Sequence, residues 1–374
     1  MLEVYGHGGD LETAASTYGR EAGDFTDFSS NINPLGPPPG LVERLTEGLA
    51  SITRYPDPGH RQFKCLLARK LGVDESWLSI GNGAAETMAL ILLALKPETV
   101  GVVEPCFSEY SALARQFGSK ITSVRGTADH DFHADPKDME LLIRKSDLVF
   151  LGQPNNPNGV QYDSEILREY ALIAEREGTY LVIDEAFIDF IEPDSRHSLV
   201  QEIGLFPRLI LVRSMTKFYA IPGLRLGYGI AHPDIIRAMT GKQVTWSVNQ
   251  LALLAGQICL ASPAEYEQAT ITLITEERRR LREDLERLGC RTWAGEANFL
   301  LVRLPEGWTA SLMQNELGKR GILVRSCAMY PGLEDRDIRV AVKSKKDNGL
   351  LVREIQAEIG TQITGRVGDK GDEE

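Results

Sequence analysis

The chain has 374 residues, 43% hydrophobic and 25% charged, with a formal net charge of −12 at pH 7. That length holds two domains, or one large domain with a smaller companion, and the composition excludes a disordered chain. The acidic balance argues against a nucleic-acid partner, because phosphate backbones select basic surfaces.

The longest uninterrupted apolar run, residues 88–95, is far too short to span a bilayer. The first residues lack the basic segment and apolar run of a secretory signal. Cys65, Cys106, Cys259, Cys290 and Cys327 form no CxxC pair, which argues against a disulfide framework and against a metal site. A cytoplasmic protein with no membrane contact is therefore expected. The dense basic cluster EERRRLREDLER (276–287) alternates with acids at helical spacing and reads as a solvated helix face.

Along the chain, residues 1–40 read as an N-terminal arm packing with a smaller domain. The stretch GNGAAE (81–86) offers Gly83 and Ala84 at a helix start, where backbone N–H groups face an anion. It fails as a dinucleotide fingerprint, lacking the third glycine and a convincing strand before it. Strands are expected at 99–105, 119–125, 147–154, 179–185, 208–214 and 224–231, with amphipathic stretches such as 164–178 between several of them. Near-continuous apolar strands joined by helices indicate an α/β fold with a large, mostly parallel sheet over 41–235. A long helical region at 233–288 follows, then strands at 298–304, 321–326 and 337–343 and a helix at 309–320. These suggest a smaller α+β domain over 236–360, with 361–374 a flexible polar tail.

The polar groups fall at the carboxyl ends of the strands, where ligands of open α/β sheets bind. Asp184 ends YLVID, and Lys217 follows LILVRS, flanked by Ser214 and Thr216, with Arg225 beyond a PGL turn. Alone, Asp184 could cap a helix, Lys217 could be solvated, and Phe107 after EPC could belong to a core. Together, an acid for a pyridinium, a lysine, a phosphate clamp, a stacking ring at Phe107 and an amide at Asn156 match pyridoxal 5′-phosphate.

The order GNG, PNNPNG, DEAF, SMTK and GLRLGY resembles the aspartate-aminotransferase superfamily, fold type I of the pyridoxal-phosphate enzymes, from about residue 5 to 355. The resemblance implies a homodimer with shared active sites between large and small domains. It also implies that Tyr55 in RYPD reaches the cofactor phosphate of the neighbouring subunit, and that Arg339 in IRVAVK binds a substrate carboxylate.

His7 beside Gly8-Gly9, Asn31 and Arg325 add groups that suit a small substrate with anions at both ends. HGGD, DFSSNINPLG, DEAFIDF, RSMTKFYAIPGLRLGY, WSVN and RSCAMYPGL resemble the threonine-phosphate decarboxylases of cobalamin biosynthesis. That resemblance implies loss of CO₂ from L-threonine O-3-phosphate, giving (R)-1-amino-2-propanol O-2-phosphate. Arg339 would hold the carboxylate, and His7, Asn31 and Arg325 the phosphate. Phe187 stands where many aminotransferases carry a tyrosine. A histidinol-phosphate aminotransferase, a serine-phosphate decarboxylase and a non-catalytic cofactor-binding regulator remain the alternatives.

Overall fold

A computed structural model describes residues 8–368. His7 and the last residues of the expected tail lie outside the described residues. Helix α1 (Leu11–Tyr18), strand β1 (Thr26–Asp27) and helices α2 (Leu41–Gly48) and α3 (Arg61–Leu71) come first. Asp10 caps α1, its side chain accepting from Thr13 N. Strand β2 (Leu78–Gly81) runs almost directly into α4 (Gly83–Leu95). Strand and helix then alternate through β3 (Thr99–Glu104), α5 (Ser108–Gln116), β4 (Lys120–Arg125), α6 (Pro136–Arg144), β5 (Leu148–Gly152), α7 (Ser164–Glu177) and β6 (Tyr180–Asp184). Strands β7 (Leu209–Ser214) and β8 (Gly227–Ala231) complete the sheet.

The seven strands lie in the order β2-β8-β7-β6-β5-β3-β4. All neighbours are parallel except β8, which is antiparallel to both β2 and β7. Alternation explains the continuous apolar runs: Leu181, Ile183, Leu209 and Leu211 enter the apolar cluster on one face, while Val182, Ile210 and Val212 enter that on the other. Edge strand β4 instead carries exposed and half-buried residues.

The region expected as one helical stretch breaks into α8 (Pro233–Thr240), α9 (Gln250–Leu260) and α10 (Ala264–Arg287). The C-terminal part holds β9 (Arg291–Thr292), β10 (Phe299–Arg303), α11 (Ala310–Lys319), β11 (Ile322–Leu323), β12 (Arg325–Ser326), β13 (Asp337–Ala341) and α12 (Lys345–Gly368). Helix α12 thus runs into the stretch expected to be a loose tail. The expected strand at 321–326 divides: β11 pairs with β1 in parallel, and β12 joins the antiparallel sheet β12-β13-β10-β9. Phe28 N donates to Leu323 O at 2.7 Å and Ala341 N donates to Phe28 O at 2.9 Å, so the chain after β1 is stitched between β11 and β13.

One contact brings this smaller sheet to the large one without any side chain between. A Cβ at Gly295 would lie 2.4 Å from Asn158 O, and Glu296 N donates to Gly159 O at 2.7 Å. Only glycine permits so close a backbone approach.

Candidate active site

A cavity of about 350 Å³ opens at the carboxyl ends of the large sheet's parallel strands, facing the smaller sheet. Asp184, at the end of β6, is buried, and burial raises its pKa. Lys217 opposes that shift, as do hydrogen bonds from Tyr110 Oη at 2.7 Å and Ala186 N at 3.1 Å. Lys217 sits in the turn after β7, its Nζ donating to Ser214 Oγ at 3.2 Å. Burial lowers its pKa to about 8. Asp184 pulls the other way, while Arg225 and Arg339 add to the lowering.

The start of α4 closes one side. Gly83 has φ +82, and a Cβ there would come within 2.5 Å of Arg225 Nη2. A Cβ at Gly227 would meet Ala84 N at the same distance. Backbone N–H groups and a guanidinium are thus gathered where a side chain would fill the space. Arg225, itself at φ +59, lines the cavity. Ser214, Thr216, Gly83 and Ala84 are not among the residues that line the cavity; Ser214 Oγ, which accepts from Lys217 Nζ, also accepts from Thr216 N at 3.3 Å. Phe107 lines the wall and meets Tyr110 edge-on at 5.6 Å.

Opposite lie two arginines. Arg325 on β12 and Arg339 on β13 are register partners, both buried and both lining the cavity. Arg339 Nη1 donates to Asn156 Oδ1 at 2.7 Å and Nη2 to Ser29 O at 2.8 Å, while its buried Nε has no partner. Burial lowers the guanidinium pKa. Asn31 lines the same end, with its main-chain O held by Asn298 Nδ2 at 3.0 Å and a buried Oδ1 that has no partner.

Among the expected site residues, Tyr55 is set apart. It is 79% exposed and stacked on Trp246 at 4.4 Å, outside the cavity. Tyr110, Ser29 and Ser30 also stand in the cavity wall, though no spacing rule marks them in the sequence. Ser29 and Ser30 belong to the stretch DFSSNINPLG. Tyr110 gave no signal beyond lying three residues after Phe107. Phe187 also lines the cavity, its ring 5.3 Å from Lys217 Nζ.

The donor set fits pyridoxal phosphate. A buried carboxylate calls for a cationic partner, an amine of lowered pKa stands across the cavity, and the glycine-lined corner suits an anion.

Residues 23–355 match the model of the family described as aminotransferase class I and II. A threonine-phosphate decarboxylase of Salmonella typhimurium is 38% identical over 92% of this chain and 94% of that protein. The adenosylcobalamin biosynthesis bifunctional protein CobDQ of Leptospira interrogans is 31% identical over 92% of this chain and 40% of that larger protein. The crystal structure of the histidinol-phosphate aminotransferase from Clostridium acetobutylicum superposes with a TM-score of 0.83 at 33% identity, covering 90% of this chain and 99% of that one. Cavity, sheet order and sequence agree: the chain belongs to the aminotransferase class I and II family.

Proposed function

We propose that this chain is a pyridoxal-phosphate-dependent decarboxylase. It converts L-threonine O-3-phosphate to (R)-1-amino-2-propanol O-2-phosphate, the aminopropanol linker precursor of cobalamin. The observation that carries the reading is the pair of buried arginines, Arg325 and Arg339, sharing one cavity with Lys217 and Asp184. A substrate bearing both a carboxylate and a phosphate offers each guanidinium an anion of matching geometry. The similarity to a threonine-phosphate decarboxylase and to an adenosylcobalamin biosynthesis protein supports the same substrate and pathway.

When bound, the cofactor supplies an electron sink for the bond broken at Cα. With the cofactor bound, Asp184 would keep a cation at its ring nitrogen, Phe107 would face its ring, and Asn156 would offer an amide to its oxygen. Gly83, Ala84, Ser214, Thr216 and Arg225 would hold the cofactor phosphate, joined by Tyr55 from the neighbouring subunit of a homodimer. Arg339, steadied by Asn156 and Ser29, grips the substrate carboxylate and fixes the direction of its bond to Cα. Arg325, Asn31 and His7 take the substrate phosphate. Lys217, with its pKa near neutrality, carries the proton that Cα receives once CO₂ has left.

The partners of this reading are a small phosphorylated amino acid and a second copy of the chain. A cytoplasmic setting belongs to the same reading, and five cysteines held as thiols with no disulfide among the described residues suit it. No helix among the described residues is long and apolar enough to cross a membrane. A second reading, transamination of histidinol phosphate, draws on the similarity to the Clostridium enzyme. Serine phosphate is the nearest rival substrate, since one methyl is worth only about 1–3 kcal/mol of discrimination. Incubation with L-threonine phosphate separates the two reactions: CO₂ and the amino-propanol phosphate are expected, whereas a keto acid would overturn decarboxylation.

A further inference from the structure

We propose that Asp27 is a positioning residue for the carboxylate-binding arginine, acting through the Ser29–Ser30 turn. The inference deepens the proposed function and rests on the assignment of Arg339 to the substrate carboxylate.

The turn is built around one carboxylate. Asp27 Oδ1 accepts from Ser29 N at 2.8 Å and from Ser29 Oγ at 2.6 Å, and Oδ2 accepts from Ser30 Oγ. Its three donors come from the two residues that present the turn to the cavity. The carbonyl of Ser29 then receives Arg339 Nη2 at 2.8 Å. That carbonyl and Asn156 Oδ1 are the acceptors of Arg339's two Nη groups, so together they set the plane of the guanidinium.

Asp27 also sits beside the chain's entry to the cavity. Ser29 Oγ, held by Asp27, accepts from Gly9 N at 2.8 Å, and a Cβ at Gly8 would fall 2.4 Å from Ser29 O. Glycine at 8 therefore lets the arm lie directly on the turn. One half-buried acid holds the backbone that orients Arg339 and the arm that flanks Asn31. It is not among the residues that line the cavity, and Phe28 anchors it to β11 and β13 from behind.

Such a role predicts a split between ligands. Asp27→Ala frees the turn and lets the Ser29 carbonyl swing, so Arg339 loses its fixed plane. Affinity for L-threonine phosphate should fall about tenfold or more, the scale of one charge-assisted hydrogen bond. Binding of 1-amino-2-propanol phosphate, which has the phosphate but no carboxylate, should change less than about twofold, and so should uptake of the cofactor. Asp27→Asn keeps an acceptor for Ser29 and should restore most of the loss.

The experiment mixes holoenzyme with each ligand and reads the first, pre-turnover change in cofactor absorbance by stopped flow, for wild type, Asp27→Ala, Asp27→Asn and Ser30→Ala. If Asp27→Ala does not fold, Ser30→Ala carries the comparison, with a smaller loss expected on threonine phosphate alone. Equal loss on the two ligands, or no loss on either, overturns the proposal, as does a wild type that binds both equally. A wild type that prefers the carboxylated ligand but releases no CO₂ would overturn the proposed reaction instead, while the ligand ratio still decides Asp27.

Discussion

Lys217 must be neutral before it can bond an aldehyde, and its surroundings decide the pH at which that happens. Burial lowers its pKa to about 8, against about 10.4 for a lysine in water. A lowered value means the reactive free amine is populated above pH 8 and lost below it. Capture of pyridoxal phosphate by apoprotein should accelerate as pH rises through about 8 and then level off; stopped-flow absorbance checks this, and Lys217→Ala should never develop the colour. In the proposed reading Arg325 takes the substrate phosphate and Arg339 its carboxylate, and the two assignments give different kinetics. Arg325→Ala removes charge-assisted hydrogen bonds worth about 1.5–3 kcal/mol each, so kcat/KM for threonine phosphate should fall about tenfold to a hundredfold. Any trace activity on free threonine should stay level, because threonine lacks the phosphate. Arg339→Ala should depress both substrates, and steady-state kinetics on the two variants decides the assignment.

At the scale of elements, the start of α4 sets a sharper constraint than its helix propensity. Gly83→Ala would place a methyl 2.5 Å from Arg225 Nη2 at a φ that L-residues rarely adopt. Cofactor affinity should drop about tenfold or more while the thermal transition of the apoprotein moves by only a few degrees, a pairing that absorbance titration and calorimetry resolve. The sequence made most of this sheet readable. Strands β3, β5, β6 and β7 are buried on both faces and so appear as unbroken apolar runs. It hid β2, whose LSIG is short and interrupted by serine and glycine, and with it the strand that feeds the phosphate corner. The antiparallel direction of β8 was equally hidden, because no side-chain pattern distinguishes it. Asp184 and Lys217 were legible at strand ends, Arg225, Arg325 and Arg339 as arginines within quotable motifs, and the fold brings all five to one cavity. The contact between Ser29 and Arg339 was not, because the two residues lie 310 positions apart and meet only where the chain after β1 is stitched between β11 and β13.

For the whole molecule, the exposed stack of Tyr55 on Trp246 bears on assembly. If the proposed homodimer shares its sites, Tyr55→Ala and Lys217→Ala should each be inactive. Mixed after subunit exchange, they form heterodimers in which one site carries both defects and the other neither. Activity approaching half of the wild-type value per heterodimer is expected, and none at all would rule out a shared site.

The lining of the cavity has a further consequence for how substrate arrives. Lys217, Arg225 and Asp184 answer the cofactor's own charges in the proposed reading, which leaves Arg325 and Arg339 against Glu109, two positive groups and one negative, within a protein of net charge −12. Governed by its total charge, such a protein would repel a phosphate ester, and added salt would speed their encounter. A low-dielectric cleft focuses its own field, however, and salt screens that field over about 8 Å at physiological ionic strength. Capture of the anion should therefore slow as salt is added, the sign set by the cleft and opposite to that of the molecule around it.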